Sequence, residues 1–183
     1  MAQKLKRRQK VDLQIEKVAF GGQGIAHWND LVVFVENSLP GDRVTAKIKR
    51  TKKQHAEAFP IELIEPSPLR QSAPCEHFEY CGGCKWQNID YQRQLSFKMQ
   101  HVQESLERIG KVYPNHIHEP IPSPEIYGYR NKMEFSFSPN RWLPPEELKD
   151  PNIKKGFALG LHVPRFFDRI IDVKKCWLQT DLL

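Results

Sequence analysis

The sequence has no long apolar run. Its longest, Leu31–Val35, is five residues, far short of the roughly 20 a bilayer-crossing helix needs. A membrane protein is therefore not expected. No apolar stretch follows the basic first ten residues, so no secretory signal is expected either, and the expected compartment is the cytoplasm. A dinucleotide-type phosphate loop is missing as well. Gly21-Gly22-Gln23-Gly24 places His27 where the third glycine of G-x-G-x-x-G would stand. There is no internal repeat and no low-complexity tract. Acidic residues are absent from 1–10 and from 43–53.

What is present is a hydrophilic globular composition. The 183 residues are 39% hydrophobic and 27% charged, with a mean hydropathy of −0.61. That length accommodates one or two domains. The net charge of +6 is uneven. Residues 1–70 hold 13 Lys and Arg against 8 Asp and Glu, while residues 71–183 hold 15 against 14. A basic excess gathered at one end favours a polyanion as partner, and nucleic acid is the commonest.

Period-two patterns organise the first third. Residues 1–10, with Lys4, Lys6, Arg7, Arg8 and Lys10, read as a disordered basic arm. Val11, Leu13 and Ile15 alternate with polar residues as in a half-buried strand. Leu31–Val35 predicts a second strand, Val44, Ala46 and Ile48 a third, and Ile61, Leu63 and Ile64 a last one. Gly21-Gly22 and Leu39-Pro40-Gly41-Asp42 supply turns. The expected fold class is mainly β with α+β: a small OB-like barrel over 11–67, then a cysteine segment and helix over 68–110, then part of an antiparallel sheet over 111–183. The helix spans 91–109, with Asp90 as N-cap and Gly110 as its stop. Leu95, Met99, Val102, Leu106 and Ile109 line one face, read as core packing. Tyr129–Ser138, Phe157–Val163 and Arg169–Val173 are the expected strands of the sheet.

Four cysteines are few, but three crowd together: Cys75-x5-Cys81-Gly82-Gly83-Cys84, with Cys176 alone after 91 intervening residues. In a reducing compartment this predicts metal binding over disulfides. Thiolates suit zinc or iron–sulfur clusters. Zinc sites usually pair two short cysteine hairpins. Three local ligands and one remote one favour a 4Fe–4S cluster. Gly82 and Gly83 would remove Cβ atoms that crowd an inorganic core and leave N–H groups free for its sulfurs. His77 is an alternative fourth ligand, and buried, unligated thiols are the plainer alternative.

The segment Cys75–Cys84, with Trp86-Gln87 and Tyr91-Gln92 after it, resembles the cluster segment of the RumA/TrmA-type bacterial RNA uracil-5-methyltransferases, most of all their 23S ribosomal RNA branch. Tyr129-Arg130-Asn131-Lys132-Met133-Glu134-Phe135 resembles a motif of that family's central domain. Ala19–Ala26, Val33-Phe34-Val35 and Leu39–Asp42 resemble the TRAM domain, an OB-like RNA-binding barrel. The resemblance implies that Cys176 is the fourth cluster ligand. It implies RNA, 23S rRNA in particular, as partner, and S-adenosylmethionine as methyl donor, bound by a C-terminal domain that this chain is expected to lack. In the family a cysteine thiolate adds to C6 of a flipped-out uridine, C5 takes the methyl group, and a base removes the C5 proton. With four cysteines committed to the cluster, none remains here for that attack. No catalytic residue is expected within 1–183, and this stretch alone is expected to be inactive.

Candidate RNA contacts are the acid-free basic run, Arg43, Lys47, Lys49, Arg50, Lys52 and Lys53, together with Arg130 and Lys132. A solvated strand edge protected by lysines gives the run an ordinary alternative role, and Glu134 is a local partner for Arg130 or Lys132. Phe20, Trp28 and Phe34 are candidates for base stacking or for core. A rival function of a different class is a free-standing, non-catalytic RNA-binding adaptor with a structural zinc site.

Overall fold

In the computed structural model, which describes residues 5–180, Val11 and Leu13 point inward from strand β1 (Lys10–Gln14) while Lys10, Asp12 and Gln14 point out. Strand β2 (Lys17–Val18) follows, then β3 (Gly24–Trp28), β4 (Leu31–Val35), β5 (Arg43–Thr51) and β6 (His55–Glu65). They form one sheet in the order β1-β5-β6-β4-β3-β2. Only β4 and β6 pair in parallel. The chain leaving β1 turns from β5 toward β3, because Glu16 donates its N–H to Ile25 O at 2.8 Å. This brings the two ends of the sheet together as a small barrel. Its interior holds Val33, Val44, Ala46, Ile48, Ala56 and Ala58, each larger aliphatic contributing about 1.5–3 kcal/mol by leaving water. Gly24 is required where β3 crosses the core, since a Cβ there would lie 2.2 Å from Ser38 Oγ and 2.7 Å from Ile15 Cγ2.

The expected Leu39–Asp42 turn is present and does more than reverse the chain. Asp42 is wholly buried. Its carboxylate accepts the N–H groups of Leu39 at 2.6 Å and Ser67 at 2.8 Å. It also takes Arg70 through both Nε, at 2.8 Å, and Nη2, at 2.6 Å. This bidentate pair pins the chain leaving the barrel. Gln71 then donates to Asn88 O at 3.0 Å. Residues 88–122 thereby group with the barrel, and residues 72–87 group with 123 onward as a second unit.

Helix α1 (Tyr91–Ser105) starts as expected, with Asp90 Oδ1 accepting from the N–H groups of Gln92 and Arg93. Its end and its packing differ from the sequence reading. A π-turn over Leu106–Gly110 follows, and the left-handed residue is Lys111, not Gly110. Of the five-residue apolar stripe only Leu95 is buried, and Ile109 is 82% exposed. Polar contacts dock α1 on the barrel instead: Lys17 with Glu104 at 2.9 Å and His101 Nε2 with Val18 O at 2.8 Å.

The basic start is also more ordered than expected. Leu5 is buried in the barrel core, and Arg8 donates to Ile48 O at 2.8 Å. Lys4 lies outside the described residues. In the second unit the regular strands are shorter than the sequence suggests. Strand β7 is Ser136–Ser138 and β8 is Ala158–Gly160, paired antiparallel. Residues 129–135 do not continue β7; Arg130 instead bridges Gln179. Residues 169–173 do run beside 159–163, through Val163 to Arg169 O, Ile171 to Leu161 O and Val173 to Leu159 O, all within 2.9–3.1 Å.

Candidate metal centre and nucleic-acid interface

The cysteine loop winds through tight turns. Phe78 donates to Cys75 O at 3.1 Å and Cys81 to His77 O at 2.8 Å. Cys75, Cys81, Cys84 and Cys176 all line one small cavity of about 20 Å³, with apolar neighbours such as Leu161 and Val173. All four are free thiols. Hydrogen bonds reach the sulfurs: Gly83 N–H to Cys81 Sγ at 3.4 Å, Gln87 Nε2 to Cys84 Sγ at 3.1 Å, and the His77 backbone to Cys75. The other end of the Gln87 amide accepts from the N–H of Cys75 at 3.3 Å, so one buried side chain ties both ends of the loop.

The remote cysteine is brought in by the residue considered as its substitute. Lys174 donates its N–H to His77 Nε2 at 3.1 Å, which anchors the 174–176 segment beside the loop. That engages one of the two His77 ring nitrogens, Nε2. The two glycines divide their roles. Gly83 serves a sulfur, as expected. Gly82 donates to His162 O at 3.1 Å, and a Cβ there would lie 2.9 Å from that oxygen. Its glycine answers the close approach of the neighbouring strand rather than the room for an inorganic core.

Burial pushes the thiols of Cys75, Cys81 and Cys84 up from their ordinary value, and the charges of neighbouring thiolates push the same way. At Cys84 the Gln87 bond and the positive charge of Arg130 oppose the rise. Arg130, read from the sequence as an RNA contact, thus has a bearing on the cysteines that spacing alone could not reveal. The donor set fits a thiolate-ligated group: four sulfurs outside any disulfide, an apolar wall, and N–H donors on Cys75, Cys81 and Cys84. Among the described residues, no three His, Cys, Asp or Glu side chains are drawn together tightly enough to hold a single metal ion.

The basic run lies on and after β5. Alternation turns Arg43, Lys47 and Lys49 outward. Lys47 sits directly opposite Lys10 on β1, a like-charge pairing that an anion would relieve. Part of the run is neutralised: Arg43 pairs with Glu65, Arg50 with Glu57 at 2.9 Å and Lys49 with Glu36 at 3.6 Å. Burial would raise the Glu57 carboxyl, but the Arg50 bond and the charges of Arg50, Lys52 and Lys49 hold it below its ordinary value. Among the described residues no ion pair engages Lys47, Lys52 or Lys53. In the second unit Lys132 pairs with Glu134 at 2.8 Å, both well exposed. Of the three aromatic candidates, Trp28 packs against the barrel core, Phe34 meets His55 edge-on with ring centres 5.5 Å apart, and Phe20 is 91% exposed.

A basic six-stranded barrel of this kind defines a class, and residues 4–60 match the TRAM domain. Relatives extend the match beyond the barrel. A protein named "Uncharacterized RNA methyltransferase" from Bacteroides thetaiotaomicron is 42% identical over 166 residues, covering 90% of this chain and 37% of that protein. One of the same name from Porphyromonas gingivalis is 38% identical over 172 residues, covering 91% and 37% respectively. Over about nine-tenths of its length the chain is thus similar to proteins named RNA methyltransferase, and it spans a little over a third of the length of these relatives. A likeness of fold reaches the Pyrococcus abyssi tRNA (uracil-54, C5)-methyltransferase, solved with S-adenosyl-L-homocysteine. The TM-score is 0.56 at 23% identity, over 93% of this chain and 33% of that one. Among the described residues no helix is long and apolar enough to cross a membrane.

Proposed function

We propose that residues 1–183 are the RNA-engaging and cluster-holding portion of an S-adenosylmethionine-dependent 23S rRNA uracil-C5 methyltransferase. The observation that carries this reading is the arrival of Cys176 in the same cavity as Cys75, Cys81 and Cys84. A single tetrahedral zinc would need sulfurs about 3.8 Å apart. A 4Fe–4S cubane spreads its thiolate ligands over a larger core, which suits four cysteines that share a cavity without converging on one point. When bound, the cluster would cross-link the 72–87 loop to the 174–178 segment. The barrel would track phosphates with Lys47, Lys49, Arg50, Lys52 and Lys53, and the sheet unit would add Arg130 and Lys132. The thiolate that attacks C6, the base and the methyl donor's site belong to residues outside 1–183, so this stretch alone transfers no methyl group.

The test gives the complete protein bearing these residues S-adenosylmethionine with unmodified 23S rRNA or unmodified tRNA, and maps 5-methyluridine by mass spectrometry. Methylation confined to 23S rRNA is expected. Methylation of tRNA, or of neither RNA, contradicts the assignment, and methylation by residues 1–183 alone contradicts the division of labour.

A further inference from the structure

The loop between β2 and β3 holds its one large apolar side chain away from every core. Gly21 and Gly22 both have positive φ, +97° and +88°, a conformation that favours glycine. Ala19 and Gln23 close the turn with an N–H to O bond of 2.7 Å, and Gly22 donates to Ala19 O at 2.9 Å. Phe20 is therefore carried on a closed turn and not on a slack loop. Its ring is 91% exposed. Leaving a phenylalanine in water forgoes about 1.5–3 kcal/mol of burial, and nothing in the barrel requires it.

One neighbour gives the ring a definite setting. His101 on α1 meets Phe20 edge-on, with ring centres 6.1 Å apart and planes at 72°. The His101 ring is itself held, since Nε2 lies 2.8 Å from Val18 O and a carbonyl can only accept, so that nitrogen carries the proton. The Lys17–Glu104 pair at 2.9 Å fixes the same stretch of helix to β2. A T-shaped contact with one neighbour, at 91% exposure, leaves at least one broad face of the phenyl ring open. Gln23 lies on the same turn, and exposed Lys98 lies one helical turn before His101. A protein partner would call for a wider apolar patch around the anchor. A planar base on a charged strand needs only a ring face and nearby cations.

We propose that Phe20, held by the Gly21-Gly22 turn and buttressed by His101, is a stacking platform for an unpaired nucleobase of the RNA. The proposal rests on the RNA-binding reading of the barrel and deepens it. Stacking contributes through the ring face and is indifferent to salt, whereas the lysines act through phosphate charge and depend on it.

The test measures binding of a fluorescent single-stranded RNA to the full chain and to Phe20→Ala, Phe20→Leu and Phe20→Trp, over a series of salt concentrations. Loss of one stacked base is expected to weaken binding about 5- to 100-fold in Phe20→Ala. Phe20→Leu, which keeps apolar area but has no aromatic face, should stay weak, and Phe20→Trp should recover. The slope of log affinity against log salt should be the same in all four. An RNA containing 2-aminopurine should lose fluorescence on binding wild type and less on binding Phe20→Ala. Wild-type binding with an equal affinity in Phe20→Ala, or full recovery by leucine, overturns the platform and leaves the barrel's RNA role standing. Absence of wild-type binding overturns the RNA reading itself, and the platform with it.

Discussion

Replacing Asp42 with alanine should cost more stability than any other single change on the barrel surface or its exit. The carboxylate satisfies two backbone N–H groups and both donor positions of the Arg70 fork, with all four contacts between 2.6 and 2.8 Å. Asp42 is fully buried, while the Arg70 side chain keeps 24% of its surface. Alanine therefore orphans the N–H groups of Leu39 and Ser67, at about 1–3 kcal/mol each if water cannot reach them. Arg70 regains part of its hydration, which discounts its share. The expected loss is about 3–5 kcal/mol, a large part of a typical domain stability of about 5–15 kcal/mol. Urea unfolding followed by tryptophan fluorescence measures it. Arg70→Ala should cost less, because it leaves Asp42 its two backbone donors. The double variant should be less destabilised than the sum of the two singles, with a coupling of at least about 1 kcal/mol. A loss under about 1 kcal/mol for Asp42→Ala, or strict additivity, would refute the view that this residue locks the barrel to the segment behind it.

Cys81→Ser should lower cluster occupancy and speed proteolysis within 72–87 and around 176 while leaving the barrel resistant, as limited digestion with mass spectrometry would report. His77→Ala removes the acceptor for the Lys174 N–H. It should cost about 1 kcal/mol and reduce the cluster absorption of protein purified without oxygen. The hydrogen bond from Lys17 holds the Glu104 carboxyl below its ordinary value of 4.5. The stabilisation it gives is complete above that value and disappears as pH falls through the lower, folded-state pKa. Amide exchange in α1 should accelerate over that acid range in wild type. The acceleration should be absent in Lys17→Met, whose helix is already loosened by about 0.5 kcal/mol.

The barrel was legible wherever one face of a strand is aliphatic and the other polar. Val11 and Leu13 on β1, and Val44, Ala46 and Ile48 on β5, show it directly. It was illegible where the interior is narrow. Strand β3 turns Gly24 and Ala26 inward and Ile25 outward, so its apolar residue marks the wrong face. Strand β6 likewise buries Ala56 and Ala58 beside the parallel β4 and leaves Ile61 and Leu63 more than 40% exposed. The helix stripe from Leu95 to Ile109 misled in the opposite sense, because of the five only Leu95 is buried, and Lys17–Glu104 and His101 tie α1 to β2. The cysteine spacing pointed to a shared site. The contacts that hold the Cys176 segment beside it, among them the hydrogen bond between His77 and Lys174, which are 97 apart in sequence, leave no periodic trace. Asp42 read as a turn residue, since nothing in its neighbours announces that Arg70 will return to it.

The most direct test of the account is the iron and acid-labile sulfide content of the chain purified without oxygen, read together with its near-ultraviolet and visible spectrum. Four iron and four sulfide per chain, with a broad absorption band that Cys176→Ser abolishes, are expected from a cluster held by Cys75, Cys81, Cys84 and Cys176. One zinc per chain with neither iron nor sulfide would contradict it.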